Sequence, residues 1–374
     1  MTKRPSMCRQ TTTRHILVAC PLLIREGGVA AYYAAAQKHM PKEFHLFEFG
    51  AKSDTVGLVA KLVTFLRDLV RFLYTVGRTR YDTVIVNPSL EPRALVRDGL
   101  FIGISQVFGA RTVVFFHGWN HEVEGQIGPL WRLFFRLTYF RSKRVGFLSQ
   151  AFSDMFRSWG YLGEALIGST VVSDSVIAEG RKACARRTES SRAKSQRPFN
   201  MLFLARVERR KGVYLAVEAF ELLKPLFPSV TLTIAGSGSE LSHLRSLIKE
   251  KQLVDVTTPG YIRGRHKYEA LAAADCYVFP TFDGEGMPIS VLEAMAFGLP
   301  VVTRPVAGIG RAVEHGVEGL LIASLAAEDF AEATRQLIED DSVRLRMGIA
   351  GMSRIRGRFA AEESIKFLEC LCGL

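Results

Sequence analysis

Short apolar runs alternate with helix-length stretches along this chain, and the alternation starts twice. In the first half, residues 15–20, 44–49, 83–86, 112–116, 145–148 and 166–172 read as buried strands, with helical stretches at 29–39, 58–78 and about 93–108 between them. Residues 181–198, RKACARRTESSRAKSQRP, are polar, basic and nearly free of large apolar groups, so they read as a linker or mobile loop. Beyond them the pattern resumes, with strands at 201–204, 231–235, 277–280 and 300–303 and helices near 213–227, 240–251, 267–274 and 289–297. Strands separated by crossover helices run parallel and are covered on both faces. The expectation is two doubly wound α/β domains, residues 1–180 and 199–355. Residues 356–374 carry an amphipathic helix expected to pack back on the first domain. Ligands in such folds bind beyond the carboxyl ends of the strands, here in a cleft between two domains.

Composition agrees with that organisation. The 374 residues suit two domains, and 48% apolar with 23% charged residues is the balance of a globular protein with ample core. The net charge of +12 calls for an anionic partner. It is unevenly spread: +8 in residues 1–180, +6 in 181–200 and −2 in the remainder. No zinc-finger spacing, RNP-like aromatic motif or basic zipper accompanies it, so nucleic acid is not the expected partner. Six scattered cysteines suit neither a disulfide framework nor a zinc site and point to a reducing cytosol. No apolar run is long enough for a transmembrane helix, and the N-terminal apolar run reads as a strand rather than a signal peptide.

Three stretches of the second half carry chemistry. Residues 279–302, FPTFDGEGMPISVLEAMAFGLPVV, run from a strand through a glycine-containing loop into a helix. Pro288 suits its first turn, where a missing N–H costs nothing, and the next amides form an anion site. Glu285 and Glu293 could hydrogen-bond hydroxyls as carboxylates, or could be solvated glutamates of a capped helix. In residues 204–212, LARVERRKG, Arg206 and Lys211 follow a strand and suit a diphosphate, one as a planar fork and the other as a point charge. Residues 234–240, IAGSGSE, lack the third glycine of a dinucleotide fingerprint, and tight-turn chemistry explains them.

Taken together and in this order, these residues resemble the nucleotide-sugar-binding domain of family 4 retaining glycosyltransferases, which have the two-domain GT-B fold. The resemblance rests on Arg206 with Lys211-Gly212, Gly236-x-Gly238-x-Glu240, Ala273-Ala274-Asp275 with Val278-Phe279-Pro280, and Glu285-x7-Glu293 running into Ala294 to Val302. It spans about half the chain. It implies that Arg206 and Lys211 grip the donor diphosphate, that Glu285 contacts the transferred sugar and that Glu293 binds ribose hydroxyls. It places the nucleobase beside Tyr261 and Ile262, after Gly260, and assigns Gly236 to the donor site. It also brings Gly27 and Gly28 toward the donor phosphates and acceptor, and His117 beside the sugar, although a lone histidine after an apolar strand is as often structural. The family commonly has glycine where Pro288 stands, so Met287 and Ile289 are expected to supply the remaining amides. The implied reaction is transfer with retention from a nucleotide-sugar, UDP favoured, to a glycan or lipid-linked acceptor, with no cofactor and no metal. A catalytically silent GT-B subunit is the alternative.

The first domain is expected to receive the acceptor. Residues 131–144 interleave aromatic and basic residues on a stretch read as helix, which suits an anionic membrane surface. Residues 58–78 offer a second such surface. Packing on the sheet with the arginine heads reaching out to solvent competes with that reading for both, evenly for 131–144 and with a slight edge for 58–78. The expected location is cytoplasmic, with peripheral attachment to the inner face of the plasma membrane as a possibility.

Overall fold

The computed structural model describes residues 14–25, 27–51, 57–192, 197–282, 286–306 and 308–374. The first sheet contains β1 (Ile16–Pro21), β2 (Phe44–Phe49), β3 (Thr83–Val86), β4 (Arg111–Phe116), β5 (Arg144–Phe147) and β6 (Glu164–Ile167), in the spatial order β2-β1-β3-β4-β5-β6. The second contains β7 (Asn200–Leu204), β8 (Thr231–Ala235), β9 (Val256–Gly260), β10 (Cys276–Phe279), β11 (Val301–Thr303) and β12 (Gly319–Leu321), in the order β12-β11-β10-β7-β8-β9. Every pairing in both sheets is parallel. In each sheet the winding reverses once, between β1 and β3 and between β7 and β10. Connections leave these neighbours in opposite directions, which opens a crevice at their carboxyl ends.

Central strands are largely apolar because helices cover both faces; all four residues of β3 are buried. Strands β9 and β12, which the sequence pattern did not show, are edge strands. The alternating exposure of VTTPG and the brevity of GLL leave no apolar run to read. The expected strand at 166–172 lies earlier, at β6. Val171 and Val172 are buried in the crossing between domains instead, where Val172 N–H donates to Phe359 O at 2.8 Å.

Residues 181–192 are not a loop. They belong to the helix Asp174–Arg192, which carries the chain from one domain to the other. The stretch lacks large apolar groups because it needs few: Ala183 is buried, and Arg187 does the rest. The Arg187 guanidinium donates to Phe297 O at 2.8 Å and Ala274 O at 3.0 Å, carbonyls at the carboxyl ends of two helices, Ile289–Ala296 and Arg265–Ala273. A cation there meets unpaired carbonyls and the negative ends of two helix dipoles. The return crossing falls at Phe359, after the helix Asp341–Arg358 rather than at residue 355. The helix Ala361–Cys372 then lies on the first domain. There Leu368 and Leu371 are buried, Phe367 packs on Phe115 at 5.1 Å, and Tyr32 Oη donates to Ser364 O.

Two helices of the first domain depart from expectation. Leu58–Arg78 does not turn its broad apolar arc to the sheet. Phe72, Val76 and Asp68 are buried, while Leu66, Val70 and Tyr74 stand in solvent. Asp68 is held inside by Gly50 N–H at 2.7 Å and by Arg67 and Arg71. Residues 131–144 are not one helix either: the helix Pro129–Leu137 ends in a 3-10 turn, Tyr139–Arg141, before β5. Phe135 and Tyr139 turn inward, Tyr139 Oη donating to Leu95 O at 2.8 Å, so the outward residues are aliphatic rather than aromatic.

Candidate active site

The candidate residues gather at the carboxyl ends of adjacent strands. Beyond β7, Arg206 opens a loop closed by the 3-10 turn Arg209–Lys211. Beyond β8, Gly236 takes φ 156°, and a Cβ there would overlap Ala205 O. This close approach lets the two loops bond directly, Val207 N–H to Ser237 O at 2.9 Å and Glu240 N–H to Val207 O at 3.1 Å. Gly236 N–H reaches Gly260 O at 2.8 Å, which brings the end of β9, with Tyr261 exposed and Ile262 half-buried, into the same row. IAGSGSE thus works as a brace between three strand ends, a role a tight turn alone would not require.

Charges in this row are matched. Arg206 is exposed and donates to Glu208 Oε1 at 2.7 Å, and Arg210 binds the other oxygen of the same carboxylate at 2.8 Å. Lys211 is buried at 6% exposure. Beyond β10, Gly286 lies against Leu148 and Phe152 of the first domain, so this loop bridges the cleft. Glu285 lies outside the described residues, and its position is not assigned. Met287 and Pro288 are buried and lead into Ile289–Ala296. Among the described residues no acceptor meets the amides of Ile289 or Ser290. They are the leading N–H groups of a helix start, with the partial positive charge that suits an anion. Tyr277 Oη gives a proton to Leu204 O at 2.9 Å and lies 2.8 Å from Ser290 Oγ, which ties this helix start to the ends of β7 and β10.

Glu293 sits one turn into that helix, 8% exposed, with Lys267 Nζ 2.6 Å from Oε1. Lys267 is a site neighbour that the sequence reading missed. It lies on a separate helix, 26 residues away, and no spacing rule links the two. A carboxylate paired through one oxygen keeps lone pairs for hydroxyl donors.

Across the cleft, the first domain contributes its own strand ends. Gly27, at φ 137°, caps the helix Gly28–Ala36, and open space surrounds the position a side chain would take at either glycine. His117 directly follows β4, its ring enclosed by Tyr32, Tyr33 and Phe115. Burial lowers its pKa to about 3, so the ring is neutral at physiological pH. Its tautomer follows from Asn87. Asn87 Nδ2 donates to Ala19 O at 2.9 Å, which fixes the amide, and Asn87 Oδ1 accepts from Tyr33 Oη at 2.8 Å. His117 Nε2, 3.1 Å from that same oxygen, must therefore carry the proton. Nδ1 is left as a lone-pair acceptor, suited to a hydroxyl donor. Among the described residues no group of three or more His, Cys, Asp or Glu side chains could hold a metal ion.

Two facing parallel sheets, with strand-end loops meeting across a cleft and a last helix crossing back, define the GT-B architecture. Residues 186–354 match the model of the glycosyl transferases group 1, and the second domain belongs to that family. A D-inositol 3-phosphate glycosyltransferase of Pseudarthrobacter chlorophenolicus is 37% identical over 161 residues, which is 42% of this chain and 38% of that protein. A putative colanic acid biosynthesis glycosyltransferase, WcaL of Salmonella typhimurium, is 35% identical over 140 residues, 36% of this chain and 34% of that protein. The chain therefore matches well under half the length of these relatives. A structure of Anabaena Alr3699/HepE in complex with UDP and glucose superimposes with a TM-score of 0.65 at 18% identity, over 96% of this chain and 100% of that one.

Proposed function

We propose that this chain is a retaining glycosyltransferase that moves a sugar from a nucleoside diphosphate sugar to a hydroxyl of a glycan or lipid-linked acceptor, in polysaccharide or glycoconjugate biosynthesis. One observation carries this reading: the strand-end loops of the second domain line up two cations, open helix amides and a buried carboxylate. In it, Arg206, Lys211 and the amides of Ile289 and Ser290 receive the diphosphate. Glu293 receives the ribose hydroxyls, the nucleobase lies by Tyr261 and Ile262, and Gly236 holds the loops in place. Gly27 and Gly28 leave room for phosphate and acceptor, and Met287 and Pro288 shape the sugar pocket together with Glu285. UDP is the favoured nucleotide, in keeping with the UDP bound by the structural neighbour.

In the proposed step the bond from the anomeric carbon to the diphosphate oxygen breaks as the acceptor oxygen bonds on the same face. The acceptor proton passes to the leaving diphosphate. Arg206, Lys211 and the helix amides meet the charge that builds on that group, the task a divalent cation performs elsewhere. His117 accepts a sugar hydroxyl through Nδ1. The reaction is thus proposed to need neither metal nor cofactor, and the protein to act in the cytoplasm. Nucleotide release from a panel of nucleotide-sugars, with and without EDTA, tests this. Release from a UDP-sugar that survives chelation is expected. No release from any donor would instead favour a silent GT-B subunit that serves as a scaffold. No helix among the described residues is long and apolar enough to cross a membrane.

A further inference from the structure

The outer helices of the first domain show an apolar face that nothing in the fold covers. On Leu58–Arg78 the exposed residues Leu62, Val63, Leu66, Val70, Leu73 and Tyr74 occupy one continuous arc of the helix. On Pro129–Leu137, Leu130, Leu133 and Leu137 repeat at helical spacing and are all exposed. The helix Pro92–Val107 touches both of these helices and adds Val96 and Leu100, each about two-fifths exposed. Soluble surfaces seldom carry so many aliphatic side chains together without a partner.

Charge selects the partner. The three helices hold eight Lys or Arg and two carboxylates, Asp68 and Asp98, both buried and both paired with arginine. Among the described residues Lys61, Arg93, Arg132 and Arg136 make no ion pair. Apolar residues flanked by the uncommitted Arg93, Arg132 and Arg136, with no exposed carboxylate on the helices, match an anionic bilayer, which takes in the side chains and attracts the charges together. A second copy of this chain would set cation against cation across a two-fold axis.

We infer that the face formed by Leu58–Arg78, Pro92–Val107 and Pro129–Leu137 docks on an anionic lipid surface. Leu58–Arg78 and Pro92–Val107 follow the carboxyl ends of β2 and β3, the ends at which the cleft opens, while Pro129–Leu137 follows β4 by way of the short helix His121–Glu124, so the face reaches the rim of the cleft at the starts of the first two helices. Docking sets that rim against the lipid headgroups, where a lipid-linked hydroxyl can enter. This deepens the acceptor side of the proposed function, but binding needs no donor, so the two can fail separately.

Flotation of the full chain with phosphatidylcholine vesicles, with and without phosphatidylglycerol, tests the inference. Co-flotation with the anionic vesicles alone is expected, weakening as salt rises. The variant Leu66→Gln/Val70→Gln/Leu133→Gln should lose it with its melting temperature lowered by no more than about 5 °C. Arg93→Gln/Arg132→Gln/Arg136→Gln should lower the partition coefficient about fivefold per cation removed. The inference is overturned by absent flotation at low salt, by equal binding to both vesicles, or by full binding in both variants. It is also overturned if the apolar face proves to hold a dimer that the Gln variant dissociates.

Discussion

On the outer helices of the first domain, Lys61, Arg93, Arg132 and Arg136 make no ion pair among the described residues, and the two carboxylates there, Asp68 and Asp98, are buried. In the second, the order is reversed around the candidate site: Glu208 is shared by Arg206 and Arg210, and Lys267 holds Glu293. A paired charge is fixed in direction and suits recognition of a small polar ligand. An unpaired, solvated charge acts over a distance and suits a broad anionic surface. The two halves therefore answer the +12 net charge differently, one through geometry and the other through accumulation.

The sharpest way to break this contrast is at Lys211. If the second domain works by fixed charge, Lys211→Met should reduce turnover of a nucleotide-sugar by about a hundredfold or more, the effect typical of losing one preorganised stabilising group. A full-speed variant would move the diphosphate site elsewhere. Next comes the brace. Gly236→Val forces a side chain into Ala205 O and should cost about 1–3 kcal/mol in urea unfolding, besides weakening donor binding. Arg187→Met should cost about 1–2 kcal/mol, because it leaves the carbonyls at two helix ends without a donor.

His117 gives a pH test of the first domain. Its folded pKa, about 3, lies below the value near 6.5 of an unfolded chain. Between those values the unfolded state binds more protons, so stability falls as pH drops from 6.5 toward 3, at about 1.4 kcal/mol per pH unit from this residue. Imidazole nitrogen-15 NMR should show a neutral ring protonated on Nε2 down to pH 4 or so. Asn87→Asp places a carboxylate against the ring and should raise that pKa. The smallest stability effect belongs to the exposed arc: Leu66→Gln/Val70→Gln should shift unfolding by no more than about 0.5 kcal/mol per site, against about 2–5 kcal/mol for truncating a buried leucine such as Leu368.

The sequence spoke most clearly where burial is two-sided. Strand β3 was legible to the residue because every position of TVIV is buried, and β2 and β8 were legible through the apolar residues that alternate with polar ones along them. The row formed by Arg206, Gly236 and Tyr261 was legible as a family pattern, while its bracing hydrogen bonds were not. The Lys267 pairing, the Asn87 constraint on His117 and the arginine clamp of Arg187 join residues far apart in the chain, and no local spacing announces them. Leu58–Arg78 misled for a different reason. Its apolar circumference says that something covers it, but not whether that is the sheet or something outside the protein.

The return of the chain onto the first domain has a consequence for its synthesis. Phe367, Leu368 and Leu371 close the core around Phe115 and Gly146, yet they leave the ribosome only after the whole second domain has emerged. The half of the protein that is made first thus waits, partly open, for residues made last. Until then its unfinished interior and its outward leucines are both exposed to whatever apolar surface lies nearby.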